Sequence, residues 1–206
     1  LRRRPMKRIT APLQMMGADI TAENDRAPLT IRPAQIKGIT YDMPVASAQV
    51  TSSVLLAGLF ADSPTTVIEP GPSRDHTELM LSSMGASISR VDNAVTIQPT
   101  HDLQPLDVTV PGDFSSAAFL IVAGLIVPDS DLTITGVNLN VTRTGLLDVL
   151  TEMGGDITVT ETGLEAGEPV GDIRVKTSDL HGIEIGGEVV VRMIDERASR
   201  LLQLAV

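Results

Sequence analysis

The stretch "PVASAQVTSSVLLAGLF" (44–60) sets Ser47, Ala48 and Gln49, then Thr51, Ser52 and Ser53, at the mouth of an apolar helix with no charge among them. The start of a helix offers backbone N–H groups that no helical carbonyl takes up. Neutral hydrogen-bonding side chains beside those amides can surround a phosphate or a carboxylate. The alternative is an N-cap followed by a polar first turn, which is common. "GPSRDHTELML" (71–81) repeats the arrangement, with Ser73 and Arg74 at the start of a second helix. Ser73 could cap that helix, with Asp75 or Glu78 complementing its dipole. Arg74, by contrast, is a cation at the positive end of the dipole, which is unfavourable unless an anion or an acidic partner compensates it. Ahead of both lies "LRRRPMKR" (1–8), which holds five of the 16 basic residues and no acidic one. It is either a solvated terminus or an anion site. In "VVVRMIDERASR" (189–200), Asp195 and Glu196 fall between an apolar, strand-like run and a helix. Asp195 is thus a candidate general base, although acidic residues in a first helical turn are ordinary.

Two further stretches read as structural. "VPGDFSSAAF" (110–119) places Asp113, Ser115 and Ser116 as a turn and cap before a helix, and Pro111–Gly112 suits a crossing between domains. "NVTRTG" (140–145) is another helix start, with Thr142 or Thr144 as the cap and Arg143 able to pair with a carboxylate.

The elements that must hold these residues recur along the chain. "LQMMGADIT", "LSSMGASIS" and "LTEMGGDIT" carry Met-Gly pairs at 16–17, 84–85 and 153–154, spaced 68 and then 69 residues apart. "SSVLLAGLFADSPTTVIE" (52–69) likewise pairs with "AAFLIVAGLIVPDSDLTIT" (117–135). Each runs from an apolar helix through Asp/Ser/Pro turn chemistry into a β-rich strand. The repeated unit reads strand, helix, strand, helix, strand, strand. Its first helix is apolar nearly all round, which predicts burial. Its second is amphipathic, with Leu146, Leu150 and Met153 on the 3.6 period and Leu147 beside them. A Gly after each second helix suits a left-handed cap. "SISRV" and "AVTIQP" predict a hairpin with Asp92–Asn93 as its turn. Pro12 should kink the first helix or mark its true start. Alternating helices and strands of this kind make a layered α/β or α+β architecture. A sequence that opens without Met and stops inside an apolar helical pattern is expected to be part of a longer protein.

Composition narrows the classes. The net charge of −10, together with one Tyr, three Phe and no Trp, argues against a nucleic-acid binder. No apolar run is long enough to span a membrane, and no apolar segment follows the basic start as a secretory signal requires. The absence of Cys excludes a disulfide framework and a thiolate metal site and fits a cytoplasmic protein. His76, His101 and His181 are too scattered for metal-ligand spacing, and no dinucleotide, P-loop, zincin or nucleophile-elbow motif occurs.

Six ordered blocks, "RRPMKRITAPLQMMGA", "PVASAQVTSSVLLAGLFA", "PSRDHTELMLSSMGA", "VPGDFSSAAF", "NVTRTGLLDVLTEMG" and "RMIDE", closely resemble the 5-enolpyruvylshikimate-3-phosphate synthase (3-phosphoshikimate 1-carboxyvinyltransferase) family. The bacterial subtype that carries "SAQ" and "SRDHTE" is the nearer match. The resemblance implies an α/β fold of two domains built from βαβαββ units and incomplete in this chain. Residues 1–110 would be the latter part of one domain and 111–206 the start of the second, with the active site in the cleft between the domains. It implies transfer of the enolpyruvyl group of phosphoenolpyruvate to the 5-hydroxyl of shikimate 3-phosphate, with release of phosphate and without a metal or organic cofactor. It also implies a cytoplasmic enzyme, monomeric at full length, with neither nucleic-acid nor membrane partners. Residue by residue, Arg4 matches a phosphoenolpyruvate-binding arginine. Ser47 and Gln49 match shikimate-phosphate contacts, with Gln49 also reaching phosphoenolpyruvate. Ala48 stands where some members carry another serine. Ser73 and Arg74 match further shikimate-side contacts, and Asp195 matches the proton acceptor near the 5-hydroxyl. The family's Gly-rich loop, catalytic glutamate and several basic residues have no counterpart here, so the chain alone is expected to be inactive. Two alternatives remain at this level: a UDP-N-acetylglucosamine enolpyruvyl transferase, against which "SAQ" and "SRDHTE" argue, and a non-catalytic anion-binding module.

Overall fold

The computed structural model describes residues 3–186 and 188–193. The chain divides into two compact units, Leu1–Leu106 and Asp107–Val206. In the first, helix α1 (Lys7–Met15) leads into a hairpin of β1 (Asp19–Glu23) and β2 (Arg26–Arg32). A whole βαβαββ unit follows: β3 (Thr40–Asp42), α2 (Ala48–Gly58), β4 (Thr65–Ile68), α3 (His76–Ser83), β5 (Ile88–Val91) and β6 (Ala94–Ile97). The sheet order is β3-β4-β6-β5. Strands β3 and β4 are parallel, as a helical crossover requires, and the other pairs are antiparallel.

The second unit repeats this order. It runs α4 (Phe114–Ile126), β7 (Asp131–Asn138), α5 (Gly145–Glu152), β8 (Asp156–Glu165), β9 (Glu168–Lys176) and α6 (Glu188–Met193). Its sheet is β7-β9-β8 with antiparallel pairing. The place of the leading strand is taken by one parallel bridge, Gly112 to Val137. The fold is therefore α/β, with the βαβαββ order predicted from the repeat.

The three Met-Gly pairs end three helices in one way. Gly17, Gly85 and Gly154 have φ of +96°, +86° and +96°, a conformation that glycine adopts without a Cβ penalty. Each glycine N–H donates to the carbonyl three residues back (Gln14, Ser82, Thr151). The next N–H donates to the carbonyl five residues back (Leu13, Leu81, Leu150). This paired bond is the Schellman motif, and it satisfies carbonyls that a helix end would leave open. Asp92, at φ +52°, makes the predicted turn between Val91 and Ala94, which face each other across the hairpin.

Two cores follow. In the first unit Val54, Leu55 and Leu59 pack with Val67, Leu81, Val95 and Ile97. In the second, Ile121 and Leu125 pack with Leu146, Leu150, Met153, Ile173 and Val175. Gly58 and Gly124 occupy matching places in α2 and α4, and each marks a close approach of helix to sheet. A Cβ there would lie 2.8 Å from Ile97 Cγ2 and 2.3 Å from Val175 Cγ2, respectively.

Of the two readings of Pro12, the helix start falls: α1 begins at Lys7 and runs through Pro12, which is buried. One expectation needs correction. The apolar helices are not buried all round. Leu56 of α2 and Phe119, Leu120 and Ile126 of α4 are exposed, as is Phe60 just after α2. A helix laid on a single sheet has only one face to cover, whatever its composition. Among the described residues no helix is long and apolar enough to cross a membrane.

Candidate anion-binding cleft

Helix α2 shows what its polar start is for. Ser47 is the N-cap residue by position, with extended backbone (φ −157°, ψ 104°), and its carbonyl accepts the first helical bonds from Val50 (2.9 Å) and Thr51 (3.0 Å). Its hydroxyl makes no cap hydrogen bond. Three other hydroxyls of the first turn and a half are committed inside the protein. Thr51 Oγ1 donates to Glu69 (2.6 Å), Ser52 Oγ pairs with Thr77 Oγ1 (2.7 Å), and Ser53 Oγ donates to the Val50 carbonyl (2.8 Å). Gln49 is exposed, and its Oε1 accepts from Arg8 Nη2 at 2.6 Å. That bond uses the amide oxygen and leaves the amide NH2 as the donor end of the side chain.

Helix α3 begins later than the sequence suggests. Its N-cap is Asp75, without a side-chain cap bond, and not Ser73. The Ser73 hydroxyl donates instead to Glu69 Oε1 at 2.6 Å. Glu69 follows β4, is fully buried, and accepts from Arg90 Nη2 at 3.0 Å through its other oxygen. Arg90 in turn grips Glu78 of α3 through Nη2 (2.6 Å) and Nε (3.0 Å). Burial pushes the Glu78 carboxyl above its ordinary value, over the opposing pull of Arg90. Donation to Glu78 in turn holds the Arg90 guanidinium well above its ordinary value, so it stays charged.

Between the starts of α2 and α3 lies an open cleft of about 450 Å³. Ala48, Gln49, Ser52, Ser53, Leu56, Arg74, His76 and Thr77 line it. It thus joins Gln49, Ala48 and Arg74 of the residues singled out from sequence. Ser47 and Ser73 adjoin it in the chain. Its polar groups are hydroxyls, an amide, an imidazole and a guanidinium, and no carboxylate is among the lining residues. That chemistry suits an anion.

The remaining candidates lie elsewhere. Arg4 is exposed just before α1, where Pro5 bridges to Arg26 and Met6 N–H donates to Asp25 O (2.7 Å). In the second unit, Asp113 caps α4 as predicted, accepting from the Ser116 amide at 3.0 Å. Burial alone would raise its carboxyl, but the Ser116 and Ser115 hydrogen bonds and the nearby Arg143 charge hold it below the usual range. Arg143 finds its carboxylate in Asp113 (3.4 Å) and also donates to Ser115 Oγ. Thr144 takes the N-cap position of α5 without a side-chain cap bond, while the Thr142 hydroxyl turns to Asn140. Asp195 lies outside the described residues. Among those described, no three His, Asp or Glu side chains group closely enough to hold a metal ion.

Sequence reasoning missed Arg8, Glu69 and His76. Arg8 was legible only as one charge in a basic run. Its position in the first turn of α1, the helix that packs against α2, is what brings it to Gln49. Glu69 closes an apolar strand, where a lone acid carries no motif.

Known structures place this architecture in a class. The enolpyruvyl transferase NikO from Streptomyces tendae superposes with a TM-score of 0.74 over 100% of this chain and 49% of that one, at 19% identity, which shows a shared fold alone. EPSP synthase from Acinetobacter baumannii superposes with a TM-score of 0.86 at 43% identity, over 93% of this chain and 44% of that one. The chain is thus built on the enolpyruvyl transferase fold. The family model for EPSP synthase (3-phosphoshikimate 1-carboxyvinyltransferase) matches residues 1–199. A 3-phosphoshikimate 1-carboxyvinyltransferase of Thermoanaerobacter sp. is 55% identical over 197 residues, 95% of this chain and 47% of its own length. Another from Bacillus pumilus is 50% identical over 196 residues, covering 94% and 46%. The chain belongs to the EPSP synthase family. It spans about half the length of the curated relatives it matches.

Proposed function

We propose that this chain carries part of the substrate site of a 3-phosphoshikimate 1-carboxyvinyltransferase, a cytoplasmic enzyme monomeric at full length. The reaction joins the enolpyruvyl group of phosphoenolpyruvate to the 5-hydroxyl of shikimate 3-phosphate and releases phosphate. Residues 1–110 are then the latter part of one enolpyruvyl transferase domain, and 111–206 the start of the second. The observation that carries the reading is the cleft at the starts of α2 and α3, which Gln49 and Arg74 both line. Beside it the N-cap Ser47 keeps its hydroxyl out of capping. In this reading Ser47, Gln49 and Arg74 receive the shikimate-side anion, joined by Ser73 through its backbone N–H because its hydroxyl serves Glu69, and Arg4 receives phosphoenolpyruvate. Ala48 contributes its backbone only. Helix-start amides and a guanidinium stabilise phosphate together, because both present positive partial charge to it.

The test is a titration of the 206-residue chain with shikimate 3-phosphate, followed through its backbone amide resonances. Saturable shifts are expected at residues 47–49 and 73–77, and shikimate without its phosphate should leave them in place. Shifts confined to other residues, or none, would remove the assignment. For Asp195 the proposed role is proton acceptor at the 5-hydroxyl. In a chain extended to the length of its relatives, Asp195→Asn is expected to lower turnover by about 10²–10⁴, the usual worth of a general base. Affinity for shikimate 3-phosphate should change far less, and Glu196→Gln serves as the control. Turnover of Asp195→Asn within a few-fold of the parent would return Asp195 to a structural role.

A further inference from the structure

Glu69 is unusual among the acidic residues of this chain. Its side chain is wholly excluded from solvent, and it touches four separate elements at once. Oε1 accepts from Thr51 of α2 and from Ser73 of the loop before α3, both at 2.6 Å. Oε2 accepts from Arg90 of β5 at 3.0 Å. The backbone is clipped on both sides by the turn residue Asn93, whose carbonyl takes the Glu69 N–H and whose amide gives to the Glu69 carbonyl, each at 2.8 Å. Charge-assisted hydrogen bonds to a carboxylate are short and directional, and Glu69 accepts three from side chains.

The two donors on Oε1 matter most. Thr51 lies two residues after Gln49, within one turn of the same helix. Ser73 immediately precedes Arg74. One oxygen atom therefore ties the segment that presents Gln49 to the segment that presents Arg74, and these are two walls of one cleft. A second strap, Ser52 to Thr77, runs alongside at 2.7 Å. Hydrophobic packing could hold α2 and α3 near each other, but packing sets spacing less tightly than two hydroxyls aimed at one oxygen. A site for a fixed anion needs its donors held within a fraction of an ångström.

We infer that Glu69 is the positioning residue of this cleft, fixing the Ser73–Arg74 loop against the first turn of α2 through Thr51 and Ser73, so that phosphate affinity depends on it although it touches no ligand. This rests on the reading that the cleft receives shikimate 3-phosphate. Arg90 and Glu78 are the outer part of the device. Arg90 neutralises Glu69 and anchors it to α3, which keeps the carboxylate from turning away from the hydroxyls.

The experiment uses the 206-residue chain with Glu69→Gln, Thr51→Val and Thr51→Ser. Thr51→Val keeps the shape of a buried side chain and removes only the hydroxyl, so it stays informative if Glu69→Gln fails to fold. Thr51→Ser restores the donor. The first measurement needs no ligand: amide shifts and exchange protection at residues 72–76, compared with Val95 and Ile97 in β6. The second is the Kd for shikimate 3-phosphate of the folded protein. Thr51→Val and Glu69→Gln should loosen residues 72–76 while β6 keeps its protection, and should weaken affinity about tenfold or more. Thr51→Ser should return both to near the parent values. A loop unchanged in Thr51→Val overturns the inference whether or not the parent binds. A loosened loop with unchanged affinity also overturns it. A loosened loop in a parent that never binds shikimate 3-phosphate supports the positioning of the loop and removes the functional reading instead.

Discussion

Arg90→Met is the sharpest test of how strongly the first unit is loaded at its buried charges. Methionine keeps much of the aliphatic stem and removes the guanidinium that serves Glu69 at 3.0 Å and Glu78 at 2.6 Å. Two carboxylates, one of them wholly buried, are then left facing each other without a cation. Breaking a buried pair by removing one partner costs about 3–5 kcal/mol. Arg90 is 35% exposed, so water can partly replace it, and the lower end, about 3 kcal/mol, is the appropriate expectation. That is a large share of the stability of a unit of this size. The pH dependence has a definite sign. Burial already raises the Glu78 carboxyl, and losing Arg90 removes the influences that oppose the rise. The folded form then holds a proton that the unfolded chain releases near 4.5. The stabilisation from that proton is fully present below 4.5 and is lost as pH rises through the folded value. The variant should therefore lose least near pH 4.5 and most at pH 7. Urea unfolding followed by tyrosine fluorescence reports this unit alone, because Tyr41 in β3 is the sole tyrosine and there is no Trp. A loss under about 1 kcal/mol at pH 7, or equal losses at both pH values, would refute the reasoning.

Three other outcomes follow from the same geometry. Ser47→Ala should leave the melting temperature unchanged, because its hydroxyl caps nothing, yet weaken shikimate 3-phosphate binding in calorimetry. Asp113→Ala should lower stability by about 1 kcal/mol or more in urea unfolding followed by circular dichroism, since it is a true cap and also holds Arg143. Gly85→Ala should cost about 1–2 kcal/mol in the Tyr41 assay through backbone strain alone, because φ is +86° and a Cβ would meet only Gln104 Cγ at 3.9 Å.

The parts of the fold that sequence made legible are those whose signal is local. A glycine after an amphipathic helix, an Asp-Asn turn between alternating segments and an Asp-x-x-Ser start each satisfy backbone groups within a few residues. Periodicity then carried the buried face of α5. What stayed hidden depends on partners far apart in the chain. Ser73 looks like a cap because it precedes a helix, but Glu69 takes its hydroxyl and Asp75 takes the cap position. Glu69 itself meets residues 18 and 21 positions away, which no window of sequence displays. The all-round apolar character of α2 and α4 suggested full burial, yet composition cannot say how many faces a helix finds covered. At the cleft, Gln49 and Arg74 were visible as residue types out of place. The Arg8 contact that fixes the Gln49 amide was visible only as charge.

The glycine at 58 gives the cleft an unexpected dependence. Helix α2 is a rod of 11 residues, roughly 16 Å long, with Gln49 near one end and Gly58 at the other. At the Gly58 end the rod sits so close to the sheet that an added methyl would meet Ile97 Cγ2 at 2.8 Å and Thr65 Cβ at 2.9 Å. The Glu69–Thr51 bond acts as a fulcrum between them. A methyl group at Gly58 would therefore work as a lever, lifting the far end from the sheet and tipping the ligand end about that pivot. Amide shifts at residues 48 and 49 in Gly58→Ala would register the tilt. The placing of Gln49 is thus hostage to a side chain that is missing about 2.5 helical turns further along the same helix.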